Sequence, residues 1–151
     1  MFRNSGSSMP ESTFLSGKVL KRPLPAMNNP ADAGALATKR LLLPQGELAQ
    51  FHNGDDPIRY IAFIELREGS VRGNHYHKFK DELIYVIQGE VELVVEDIHS
   101  KTRETVLLQA GDLTVIQRDV AHALRPVKPG QAIEFSRVQF NPADTHRYPL
   151  G

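Results

Sequence analysis

The chain has 151 residues, 40% of them hydrophobic, with 18 basic and 18 acidic side chains balancing to a formal net charge of zero. That length fits one domain of ordinary size, and the charge balance offers no basic excess for nucleic acid or an anionic membrane surface. There is no cysteine, which excludes disulfides, thiolate catalysis and zinc–thiolate sites.

Residues 1–40 are rich in Ser, Pro, Asn and Gly, and their apolar positions keep no sustained period. They are expected to form a flexible or partly ordered N-terminal arm, or a segment traded between subunits. Loop signals stand at 5–8 and at Asn28-Asn29-Pro30. Within the arm, residues 18–20 are expected as an edge strand and residues 31–38 as a short helix. The start of the chain lacks the apolar core of a signal peptide. No run approaches the roughly 20 apolar residues of a membrane-spanning helix. The expectation is a soluble, cytoplasmic protein.

From residue 41 to 151 the pattern is strand, turn, strand. Tyr60–Leu66 is aromatic and β-branched, and residues 67–70 break it. Residues 82–88 and 90–97 read as a hairpin turned near Gly89. Residues 105–109 and 113–117 flank the turn Ala110-Gly111-Asp112. Residues 126–130 read as a loop and 133–140 as the last strand, before a polar tail at 141–151. Many short strands with no helical period indicate an all-β antiparallel sandwich or barrel.

The most informative stretch is GSVRGNHYHKFKDELIYVIQG, residues 69–89. On a strand, alternate side chains share a face, so His75 and His77 point the same way. A helix would set them about 200° apart. A return strand can bring Glu82 to the same point, and a neighbouring strand can deliver His122. Three imidazoles and one carboxylate suit one divalent first-row metal: Fe, Mn, Co, Ni, Cu or Zn. Six-coordinate geometry leaves two positions open, which marks a catalytic rather than a structural site. Exposed strand histidines are the commoner origin of an isolated His-x-His pair.

Gly69, His75, His77, Glu82 and Gly89 match the first motif of the cupin superfamily, G-x5-H-x-H-x3/4-E-x6-G. The second motif, G-x5-P-x-G-x2-H-x3-N, is met at Gly111 and His122. Gln117, Asp119 and Pro126 replace its proline, second glycine and asparagine. The resemblance covers roughly residues 60–140. It implies a small jelly-roll barrel, the double-stranded β-helix, with a metal held inside by His75, His77, Glu82 and His122. It also implies a homodimer, for which an exposed sheet edge is a physical motive. Arg72-Gly73-Asn74-His75-Tyr76-His77 further resembles the metal-binding C-terminal domain of the bifunctional capsular-polysaccharide reductase/epimerase. It is similar, too, to the 3,4-ketoisomerases of dTDP-4-keto-6-deoxyhexoses and to related dTDP-sugar epimerases. In the ketoisomerases the histidine pair resembles a metal-free acid/base pair, and Glu82 is often replaced; the glutamate kept here favours the metal-bound type.

If Glu82 faces the barrel interior, Ile84, Val86 and Gln88 do so too, while Leu83, Tyr85 and Ile87 face the other layer. Arg72, Tyr85 and Arg137 are the candidate substrate-binding residues, the arginines because a guanidinium binds anions bidentately; Arg118 and Arg125 share that chemistry. Tyr60, Tyr76, Tyr85 and Tyr148 are possible acids, and parity turns Tyr76 away from the metal. Lys78 and Lys80 are expected to decorate a loop. His52, His99 and His146 receive no role. Three readings follow: isomerisation or epimerisation beside a carbonyl of a small, sugar-like substrate; Fe(II)-dependent dioxygenation; and non-enzymatic small-molecule binding. No helical DNA-binding module is visible.

Overall fold

The computed structural model describes residues 11–151. Positions 1–10, including the loop signal at 5–8, lie outside them. The regular structure of the described chain is almost entirely β, and among the described residues no helix is long and apolar enough to cross a membrane.

Near the N-terminus run β1 (Ser12–Phe14), β2 (Val19–Pro23) and β3 (Ala26–Met27). A single 3-10 turn, Pro30–Ala33, stands where the helix at 31–38 is expected. Asn29 caps it by accepting from the Ala31 amide, and Gly34 ends it. Then come β4 (Lys39–Leu43), β5 (Gly46–Gln50), β6 (Tyr60–Leu66), β7 (Arg72–Tyr76) and β8 (Glu82–Asp97). The last strands are β9 (Arg103–Gln109), β10 (Asp112–Ile116), β11 (Val120–Ser136) and β12 (His146–Arg147). The main sheet runs β1-β2-β10-β8-β11-β7-β12, with β6 on β11 and β9 on β8; β3-β4-β5 form a second, small sheet.

Two sequence expectations are corrected here. Residues 82–97 are one strand of 16 residues, not a hairpin, and residues 126–130 lie inside β11 rather than in a loop. The two long strands run antiparallel along their whole length, with register shifts opposite Gly89. Gly89 bends the strand instead of reversing it. Its φ is +101°, and a Cβ there would sit 2.8 Å from the carbonyl oxygens of Lys128 and Pro129. The bend swaps faces. Before it Ile84 and Val86 enter the barrel core; after it Val91, Leu93 and Val95 do. An extra residue at a bulge has this effect because side-chain alternation has period two.

The core is Val, Ile and Leu from β6, β8, β9, β10 and β11, joined by Leu15 and Val19 from the N-terminal segment. Each such side chain, fully buried, contributes about 1.5–3 kcal/mol. The outer face of β8 is covered as well. Tyr85 packs there with Leu24, Leu113 and Phe135, flanked by Phe51, Ile58 and Ile133. A strand forms where residues 18–20 are expected to add an edge strand, but β2 is not at the edge: it pairs with β10 from Asp112↔Pro23 to Ile116↔Val19 and with β1 on its other side.

Candidate metal centre

Local backbone geometry brings the histidines together. His75 on β7 lies opposite His122 on β11, and the register slips just after His122. Gly73 has φ +103°, and a Cβ there would approach the His122 carbonyl oxygen to 2.7 Å. Asn74 follows at φ +58°, a conformation Asn tolerates. Its side chain accepts from the Leu150 amide, and its carbonyl accepts from that of Tyr148. Asp119, at the position of the family's second glycine, has φ +64° and donates its amide to the His77 carbonyl. An aspartate also reaches this left-handed region, so the turn before His122 survives the loss of glycine.

His75, His77, Glu82 and His122 converge. Each offers a ligand atom, and these atoms lie within 4.8 Å of one another. His77, Glu82 and His122 are buried and His75 is half-buried. Nδ1 of His77 lies 2.8 Å from the Asp144 carbonyl oxygen, and Nδ1 of His122 3.0 Å from that of Val120. A carbonyl only accepts, so both Nδ1 atoms carry the proton. The two Nε2 atoms therefore turn inward. That of His77 is 2.8 Å from Oε1 of Glu82, that of His122 is 3.5 Å from Oε2, and the latter is buried without a hydrogen-bond partner. An unprotonated ring nitrogen facing a carboxylate is repulsive unless a cation, a proton or a metal ion, lies between them. Imidazoles anchored through Nδ1 to backbone carbonyls, with Nε2 pointing at one centre, have the form of metal ligands.

The electrostatics agree. Burial pulls His75 down to about 4, helped by the neighbouring His122, so its ring is neutral at pH 7. Burial pushes Glu82 up, but His122, His77 and Lys80 outweigh it and hold the carboxyl well below the usual range. Burial pulls His122 down, and the nearby charge of Glu82, helped by the Val120 carbonyl on Nδ1, more than reverses this.

Sequence reasoning missed three residues around this centre. Asp144 orients His77 through its carbonyl, and its carboxylate accepts the amides of Lys78 and Phe79 at 2.8 and 3.0 Å. It lies in the stretch that reads as a polar tail. Lys80, expected on a loop surface, is 3% exposed, while Lys78 is exposed as expected. The Lys80 ammonium pairs with Glu134 at 3.2 Å and lies 3.8 Å from Oε1 of Glu82. It also sits 4.3 Å from the Tyr60 ring centroid and 5.3 Å from that of Phe140. Glu134 alternates with Ile133 and Phe135, which belong to the outer cluster; that parity was the available signal.

The candidate substrate-binding residues are not brought into one place. Tyr85 stacks on Phe51 at 4.4 Å on the outer face of β8, opposite in parity to Glu82, and burial pushes its hydroxyl to about 12. Arg72 is exposed, with no ion pair among the described residues. Arg137 pairs with Asp81 at 3.1 Å and lines a cleft of about 710 Å³ with Arg59, Phe79, Phe140, Asn141 and Asp144. Of the other arginines, Arg118 pairs with Asp81 and Arg125 holds the C-terminal carbonyls. Tyr76 packs with Tyr148 and stacks on His146, away from the ligand atoms as parity requires.

A cupin-domain family model matches residues 62–135, which carry His75, His77, Glu82 and His122. No curated protein matches the chain in sequence. Among solved structures, the chain resembles a 3,4-ketoisomerase from Helicobacter canadensis, with 18% identity, TM-score 0.64, and 74% of this chain and 87% of that one covered. It resembles ChmJ, a 3'-monoepimerase from Streptomyces bikiniensis in complex with dTDP-quinovose, with 15% identity, TM-score 0.70 and coverage of 89% and 71%. A third is the dTDP-6-deoxy-D-glucose-3,5-epimerase RmlC from Legionella pneumophila, with 15% identity, TM-score 0.67 and coverage of 90% and 75%. At such identities the likeness is one of fold. With the family match and the jelly-roll barrel, it identifies residues 62–135 as a cupin domain.

Proposed function

We propose that the chain is a metal-dependent cupin that isomerises or epimerises a small sugar-like substrate beside a carbonyl. One observation carries the metal: two Nδ1-anchored imidazoles aim Nε2 at the Glu82 carboxylate, and the buried Nε2 of His122 has no partner. His75, His77, Glu82 and His122 fit a divalent first-row ion and are the residues that would hold it. When bound, such an ion supplies Lewis-acid polarisation of a carbonyl oxygen. The chain's own residues do the rest. Asp144 and Val120 fix the ring tautomers, the apolar barrel core excludes water, and Tyr60 and Glu134 line the same interior by strand parity.

The sugar-nucleotide enzymes of this fold support the substrate class. Arg137, with Arg59, Phe79 and Phe140 in the adjoining cleft, suits an anionic substrate with a planar ring. Arg72 is exposed on β7, the strand that carries His75, and stays in the proposal as a second anion contact. The zero cysteine count fits work in the reducing cytoplasm. β6 pairs only with β11 among the described residues, and it exposes Ile61 and Phe63 at 68% and 64%. We assign this apolar edge to a homodimer interface.

A metal-free reading rests on the 2.8 Å contact between His77 and Glu82, which a shared proton also satisfies. The test is solvent exchange. In D2O, the protein should place deuterium on the carbon beside the ketone of a dTDP-4-keto-6-deoxyhexose, and chelation should abolish this. Exchange that survives complete metal removal would establish the metal-free reading, and a metal-loaded protein inert towards keto-sugars would defeat the isomerase.

A further inference from the structure

Lys80 is the polar group the barrel encloses with the least evident reason. Its side chain is 3% exposed, and it is clamped between two carboxylates under the stacked rings of Tyr60 and Phe140. A buried ion pair adds little stability, because desolvation offsets the attraction. An apolar side chain would fill the same space at less cost, so the charge is retained for what it does to its neighbours.

Those neighbours are unequal. The two oxygens of Glu82 have different surroundings. Oε1 faces the Lys80 ammonium at 3.8 Å and Nε2 of His77 at 2.8 Å, whereas Oε2 faces Nε2 of His122 at 3.5 Å. Glu134 holds the ammonium in place at 3.2 Å from the far side. We infer that Lys80, braced by Glu134, is a positioning residue: its charge holds Oε1 of Glu82 against Nε2 of His77 and so turns Oε2 towards His122. The inference rests on the proposed metal reading and adds a second layer to it. Lys80 acts only through Glu82, and the pair Lys80–Glu134 adds no net charge to the pocket. The lowered Glu82 carboxyl, to which Lys80 contributes, is consistent with this contact.

The test uses Lys80→Met combined with Glu134→Gln, which removes the pair without stranding a buried charge, and Lys80→Arg, which keeps the cation. Chelator competition with Co(II) on the full chain reads the metal. The double variant should bind Co(II) about 10–100-fold more weakly, the usual cost of losing an outer-layer partner, and its visible spectrum should change. Lys80→Arg should restore both. Long-range nitrogen–proton spectra of the metal-free protein read the carboxylate directly. The His77 Nε2 resonance should move in the double variant and return in Lys80→Arg, while His146 stays put. Thermal unfolding of all variants reports whether they fold. A folded double variant with unchanged Co(II) affinity and an unmoved His77 resonance would overturn the inference. So would a double variant that does not fold, because the pair's role would then be stability. A wild type that binds no Co(II) would remove the metal reading alone, and the His77 resonance would still decide whether Lys80 orients Glu82.

Discussion

At the scale of single residues, position on a strand decides role more firmly than residue type. Tyr85 and Glu82 lie three apart on β8, yet one packs in the outer cluster and the other meets the histidines. Tyr85→Phe is therefore expected to leave turnover unchanged, and Tyr85→Ala to cost about 3 kcal/mol in urea unfolding through the cavity it leaves. A large loss of turnover in a fully folded Tyr85→Phe protein would return the hydroxyl to the active site. The histidine–glutamate cluster was readable because His75, His77 and Glu82 sit within one short stretch, where strand parity speaks directly. Lys80 and Asp144 were not. Lys80 lies in the connection between β7 and β8, where alternation says nothing about direction. Asp144 acts partly through its backbone, which residue type cannot signal.

At the scale of elements, strands from distant parts of the chain are tied together by a few polar contacts. Lys18, just before β2, pairs with Asp97 at the end of β8 at 2.5 Å. That contact first, and the His99 amide second, lower the Asp97 carboxyl from 3.8 to about 2. Its unfolded counterpart keeps the ordinary value. The stabilisation is thus fully present above about pH 4 and is lost as pH falls towards 2. Melting temperatures measured across that window should drop more steeply for wild type than for Lys18→Met. Parallel pH profiles in the two proteins would show that the contact does not hold β2 in place. Strands such as Tyr60–Leu66 were legible because they begin and end at clear breaks. The continuity of β8 and β11 was not: a glycine opposite a Pro-Gly stretch reads as two turns, whereas the two bends nest against each other. The order of residues 11–40 was hidden for a related reason. Leu15, Val19 and Leu24 are too few to show a period, and they are buried only because the barrel supplies partners.

At the scale of the whole molecule, a barrel covered on both faces of β8 keeps one apolar edge open. Ile61 and Phe63 lie on β6, away from the histidine centre in strand parity. Phe63→Lys is expected to convert a dimer to a monomer in light scattering while leaving the metal content unchanged. An unaltered dimer would place the interface elsewhere.

The most direct test of the account is elemental analysis of the purified protein beside its Glu82→Gln and His122→Ala variants. The account predicts close to one first-row transition-metal ion per wild-type chain and well below one in each folded variant. Equal metal in all three proteins, or a wild type that takes up none when offered Fe, Mn, Co, Ni, Cu and Zn in turn, would contradict it.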